Sequence, residues 1–254
     1  MVPSPGRFLS HLSSSSSGTR SSETRSSGER SFGIRARHLT VWLAVAALGV
    51  TACDTAVPAR VLYLGDSVMA EAMEEVTNRS LFHTHAYHTI PQAIGGSGLK
   101  DLDSYWLPRI RALQLARVEW DAVVIHSGFN DAATGPMRRA PLDADDYARR
   151  IDALLEAVGD VPVLWFDIPR NAPLEEPRRD LVNRAIRGAT TRWPNLTVLW
   201  SSALFVDCPE CFDDDQIHRT QIGQERLAEI IIERLDELFP PEPSLLELLL
   251  AQTP

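Results

Sequence analysis

The stretch Arg60-Val61-Leu62-Tyr63-Leu64-Gly65-Asp66-Ser67-Val68 decides how the chain is organised. After Arg60, the run Val61–Leu64 is apolar and partly β-branched, as expected of a strand buried on both faces of a parallel sheet. Gly65-Asp66-Ser67 breaks the run. The segment beyond, Val68-Met69-Ala70-Glu71-Ala72-Met73-Glu74-Glu75, is made of good helix formers. Ser67 therefore falls between the carboxyl end of a strand and the amino end of a helix, where open α/β sheets place their ligands and free N–H groups face negative charge. By itself the triplet could equally well be a helix cap. The residues downstream separate the two readings.

Working outward, strand-like runs alternate with helical ones. Strands are expected at Thr84–Ile90, Ala122–Ile125, Val161–Phe166 and Leu196–Trp200, and helices at Leu102–Ala116, Ala144–Val158 with Asp143 as N-cap, Pro177–Thr190 and Gln221–Leu238. Five strands in such alternation predict a doubly wound parallel sheet with right-handed crossovers. About 180 residues suffice for one well-buried core.

Each strand end then supplies something chemical. After the first come Gly65-Asp66-Ser67, after the second Ile94-Gly95-Gly96-Ser97-Gly98-Leu99, after the third Gly128-Phe129-Asn130-Asp131, and beyond the fifth Asp213-Asp214-Asp215-Gln216-Ile217-His218. In a parallel sheet these ends share one edge. A serine hydroxyl needs a base to become a nucleophile. His218 can serve, and can later protonate the leaving group. Asp215, three residues earlier, can hold the far ring nitrogen, with Asp214 as the alternative. An oxyanion would find donors in the Ser67 backbone N–H, a glycine-loop N–H and the Asn130 side chain. Asp131 reads as a loop or helix anchor, and His126 as a core or pocket-wall residue. His83, His85 and His88 do not share a strand face, so they read as an ordinary polar strand, not a metal site.

These four blocks, in this order over about residues 60–239, resemble the SGNH hydrolases, also called GDSL esterases/lipases. Gly65-Asp66-Ser67 looks like the nucleophile block, Gly96-Ser97-Gly98 like the glycine block, Gly128-Phe129-Asn130-Asp131 like G-x-N-D, and Asp215-Gln216-Ile217-His218 like D-x-x-H. The resemblance implies a flavodoxin-like three-layer α/β/α sandwich and a serine esterase cleaving acyl esters, small ones such as acetyl included, with no cofactor or metal. It assigns Ser67, His218 and Asp215 as catalytic and Ser67, Gly98 and Asn130 as the oxyanion hole, with Gly96 as alternative to Gly98. Gln216 departs from the glycine common at that point. The run Gly96-Ser97-Gly98-Leu99 before a Trp-bearing helix also resembles the domains attached to bacterial sugar acyltransferases, so transfer to a sugar hydroxyl stands as an alternative. A non-catalytic carbohydrate-binding or envelope protein on the same fold is a third.

The flanks differ from this body. Residues 1–38 are rich in Ser and Arg and cannot bury enough apolar surface to order themselves. Residues 39–52 form an apolar run behind Arg35 and Arg37, too short to span a bilayer comfortably, and read as the hydrophobic region of a signal peptide. Val50-Thr51-Ala52-Cys53 resembles a bacterial lipobox, which makes Cys53 the lipidated residue of an exported, membrane-anchored protein; a plain secretory signal or an uncleaved anchor are the alternatives. Residues 53–59 read as a tether, 60–239 as the domain and 240–254 as a Pro-rich tail with an apolar turn. Residues 1–52 carry six Arg and two acids, whereas the remainder carries 19 basic and 32 acidic residues, a charge of −13. Nucleic acid is thereby excluded as a partner of the body, and the expected partner is a small-molecule or glycan acyl ester. Exported chains meet oxidising conditions, so Cys208 and Cys211 are expected to form a short disulfide ahead of Asp215 and His218.

Overall fold

In a computed structural model of the chain, residues 57–82, 87–133, 143–170 and 172–240 are described. Five strands form one parallel sheet: β1 (Arg60–Gly65), β2 (His88–Pro91), β3 (Ala122–His126), β4 (Val163–Phe166) and β5 (Leu196–Leu199), in the order β2-β1-β3-β4-β5. The register sets Leu62 opposite Val123, Val124 opposite Leu164 and Trp165 opposite Val198. Val61–Leu64 and Ala122–Ile125 are buried throughout, which explains their unbroken apolar character.

Helices flank the sheet in two packed sets. Helix α1 (Ser67–Phe82) packs on α7 (Gln221–Leu238). Helix α4 (Ala144–Val158) packs on α5 (Glu176–Ala189) and on α2 (Leu107–Leu115). Two short helices, α3 (Phe129–Ala132) and α6 (Ser201–Leu204), follow β3 and β5 directly. The arrangement is the α/β fold with a five-stranded parallel sheet that the strand–helix alternation implies. Local chemistry supports it: the Asp143 carboxylate caps α4 by accepting from Asp146 N at 2.7 Å, and Thr220 Oγ1 caps α7 by accepting from Gly223 N at 3.3 Å.

Two elements depart from the sequence reading. Strand β2 runs over His88–Pro91, shifted toward the carboxyl end of the expected Thr84–Ile90. Among the described residues it pairs only with β1, and an edge position tolerates the missing N–H of Pro91. Leu102–Ala116 is not one helix. A 3₁₀ turn (Leu99–Asp101) leads into a π turn (Leu102–Trp106), in which Leu107 N bonds Leu102 O, and only then into α2. Pro108, lacking an N–H, cannot close the i→i−4 bond that would carry a regular helix back through Ser104.

Cys53, residues 1–38 and 39–52, the tail beyond Pro240, and His83 and His85 lie outside the described residues. Among those described, no helix is long and apolar enough to cross a membrane, and no group of three or more His, Cys, Asp or Glu is placed to hold a metal.

Candidate active site

Ser67 opens α1 immediately after β1, and Gly65 makes that turn possible. A Cβ on Gly65 would stand 2.3 Å from Met69 Cβ and 2.9 Å from His126 O, so strand, helix and neighbouring strand close here only around a glycine. Asp66 is fully buried. Its N–H donates to His126 O at 3.1 Å, and its Oδ1 accepts from Val68 N at 3.2 Å. Asp66 is thus the cap of α1, which leaves the Ser67 hydroxyl for other work.

That hydroxyl lies 2.9 Å from His218 Nε2, across 151 residues of chain. His218 Nδ1 pairs with Asp215 Oδ2 at 2.5 Å, and Asp215 Oδ1 accepts from Ile217 N at 2.8 Å and His218 N at 2.9 Å. The aspartate therefore holds both the ring and the backbone of its partner. Asp215 takes this place, not Asp214. The turn also shows what the departure at Gln216 costs: its φ of +59° puts a non-glycine residue in the left-handed region, at about 1–2 kcal/mol. Bonding to Asp215 raises the pKa of His218 against the opposing effect of burial, and the charge of Glu71 raises it further. Burial pushes Asp215 up, but the N–H groups of Ile217 and His218 and the His218 ring outweigh it, so its pKa falls below the usual carboxylate value.

The glycine block is stitched to both neighbouring strand ends. Ser97 Oγ donates to Gly65 O at 3.0 Å, and Asn130 Nδ2 donates to Ser97 O at 2.9 Å. Asp131 does more than anchor its own loop. Its carboxylate accepts from Leu99 N and Lys100 N, both at 3.0 Å, and from Tyr147 Oη at 3.3 Å. Burial raises its pKa against the pull of those two N–H groups. Gly98 is extended, with φ −167°, so no backbone strain demands glycine. The Asp131 carboxylate does: a Cβ on Gly98 would lie 2.6 Å from Oδ1. The Gly98 N–H donates to Asp101 Oδ2 at 3.1 Å, while a Cβ on Gly95 would come to within 3.9 Å of Ser67 Cβ.

Cys208 and Cys211 form the expected disulfide, in a 3₁₀ turn (Pro209–Cys211) ahead of the Asp215 turn. His126 is a buried wall residue, stacked on Phe129 with centroids 5.8 Å apart, its Nδ1 3.6 Å from Asp66 Oδ1. Three neighbours escaped the sequence reading. Glu71, one turn along α1 from Ser67, sets its carboxylate 3.8 Å from His218 Nε2; the i, i+4 spacing on a helix was the available signal. Asp101 follows the glycine block by three residues. Arg219, next to His218, is only 1% exposed and lies between the rings of Phe205 and Phe212, at 3.9 and 4.1 Å from their centroids. Nothing local in the sequence marks that arginine as buried.

A family model matches residues 60–234, which holds every element from β1 through most of α7. The chain belongs to the family described as protein of unknown function (DUF459). No curated protein matches its sequence. Solved structures share the fold of this DUF459 chain at low identity. The lipase/acylhydrolase from Enterococcus faecalis is 18% identical, with a TM-score of 0.59 over 73% of this chain and 100% of that one. A protein from Slackia heliotrinireducens described as an SGNH hydrolase is 19% identical, with a TM-score of 0.54 over 70% and 100%. The C-terminal catalytic domain of peptidoglycan O-acetyltransferase A from Streptococcus pneumoniae is 16% identical, with a TM-score of 0.52 over 72% and 95%. The DUF459 domain thus has the SGNH hydrolase fold, with Ser67, Asn130 and His218 at one edge of its sheet.

Proposed function

We propose that the protein is a serine esterase of SGNH type that cleaves small acyl esters, acetyl esters of a sugar or cell-wall glycan among them. The observation that carries this reading is the hydrogen-bonded series Ser67 Oγ, His218 Nε2, His218 Nδ1, Asp215 Oδ2. Neighbours in fold that act on acyl groups, an acylhydrolase and an O-acetyltransferase, agree with it.

In the proposed reaction, His218 Nε2 takes the Ser67 proton as Oγ bonds to the acyl carbon. Asp215 fixes the ring orientation and stabilises the imidazolium. The oxyanion is held by the Ser67 backbone N–H at the start of α1 and by Asn130 Nδ2. The Gly98 N–H joins them on exchanging its Asp101 acceptor for the oxyanion. His218 returns its proton to the departing alcohol, leaving an acyl-Ser67 ester. Water, deprotonated by His218, then attacks that ester, and the proton passes back to Ser67 as the acid leaves. Lipid attachment at Cys53 would place the domain outside the cytoplasm, facing such a substrate.

The test is hydrolysis of p-nitrophenyl acetate by the wild type and by Ser67→Ala. We expect the variant to lose at least ~10³-fold in kcat/KM, and a fluorophosphonate probe to label the wild type at Ser67 alone. Undiminished turnover in Ser67→Ala would falsify the mechanism.

A further inference from the structure

A cavity of about 940 Å³ opens at the carboxyl ends of β4 and β5, and neither Ser67 nor His218 lines it. Its wall carries four arginines, Arg170, Arg179, Arg184 and Arg187, in a body whose net charge is −13. The three carboxylates that also line it are already engaged. Asp167 accepts from Ser201 N at 2.8 Å and from Arg187 Nη1 at 3.2 Å. Asp180 accepts from Arg179 Nη2 at 3.2 Å, and Glu176 stands 3.7 Å from the same nitrogen. Arg170 and Arg184 form no ion pair among the described residues, and both are exposed.

Between the arginines stands Trp200, 54% exposed, with the Arg187 guanidinium 5.2 Å from its ring centroid. The remaining ring surface faces solvent. The cavity's size is that of a small-molecule site. Guanidinium forks match carboxylate and phosphate oxygens, and an indole face matches the C–H face of a sugar ring.

We propose that this hollow is a second binding site, separate from the Ser67 centre, for a sugar bearing a carboxylate or phosphate group. Arg170 and Arg184 bind the anion, and Trp200 stacks on the ring. Phe205 lines the hollow and also covers Arg219, the residue after His218. An occupied site would therefore sit one side chain away from the catalytic turn, where a long acidic glycan could be held while an ester elsewhere on it reaches Ser67. The binding claim does not depend on the esterase reading.

Isothermal titration of the full-length chain tests it, with tetragalacturonate and glucose 1-phosphate as charged sugars and cellotetraose and inorganic phosphate as controls. At least one charged sugar should bind saturably, tenfold or more tighter than either control, and weaken as salt rises. The double variant Arg170→Gln/Arg184→Gln should lose at least tenfold in affinity with its melting temperature unchanged, and Trp200→Ala should weaken binding without altering the salt dependence. The proposal is overturned if neither charged sugar binds, if cellotetraose binds as tightly, if inorganic phosphate alone matches the sugars, or if the double variant binds like the wild type.

Discussion

The contact between Gly98 and Asp131 can be tested by a double-mutant cycle. Asp131→Ala removes the acceptor of two N–H groups, from Leu99 and Lys100. A bond to a charged group is worth about 1.5–3 kcal/mol. The Lys100 N–H belongs to an exposed residue and can turn to water, and removing a buried carboxylate recovers part of its desolvation. The net loss should be about 2–4 kcal/mol, or roughly 5–15 °C in melting temperature for a domain of this size. Gly98→Ala places a methyl 2.6–2.8 Å from the carboxylate atoms. That carboxylate cannot swing aside without giving up the bonds to Leu99, Lys100 and Tyr147, so overpacking should cost about 1–3 kcal/mol. Once Asp131 is alanine the obstacle is gone. Gly98→Ala in that background should be neutral, or stabilising by roughly 0.4–1 kcal/mol, because its extended φ suits any residue. The coupling energy should thus reach about 2 kcal/mol, read from urea and thermal unfolding of the four proteins. Additivity within about 0.5 kcal/mol would refute the account of why glycine occupies position 98.

The other expectations follow from the same geometry. Because Asp215 and Glu71 hold the His218 pKa above its ordinary value, and the base must be neutral, the acidic limb of the kcat/KM–pH profile should lie above the ordinary imidazole range. Glu71→Gln should move that limb to lower pH; a limb that stays put or rises contradicts the assignment. The stability linked to His218 is fully present below its unfolded pKa and fades as pH rises through the raised folded value. That of Asp215 is present above its unfolded pKa and fades as pH falls through the depressed one. Cys208→Ser with Cys211→Ser opens a loop spanning only three positions of sequence separation, so the loss of stability should not exceed about 2 kcal/mol; thiol labelling of the unreduced wild type should find neither cysteine. Burial lowers the Arg219 pKa to about 10, and Phe205 and Phe212 offer only their ring faces. Arg219→Lys, a more strongly hydrated cation, should lower the melting temperature more than Arg219→Met does, and the reverse order would show that planar charge is not what the slot requires.

Much of this was legible in the chain because the signals are local. Strands with two buried faces must be apolar without interruption, so Val61–Leu64 and Ala122–Ile125 announce themselves, and parallel topology then carries Ser67, Asn130 and His218 to one edge whatever lies between them. The i, i+3 spacing of Asp215 and His218, and the cap at Asp143, are likewise matters of a few bonds. What the fold alone decides involves partners far apart in sequence. Asp131 forbids a side chain at Gly98 from 33 residues away, and its carboxylate holds the N–H groups of Leu99 and Lys100 across a similar gap. Arg219 has the composition of a surface residue and becomes a core residue when Phe205 and Phe212 close over it. The arginine-lined hollow is assembled from the end of β4, α5 along its length and the chain after β5. Periodicity reports which face of an element is buried; it carries no record of which distant atom will be waiting there, because that is set only when the layers pack.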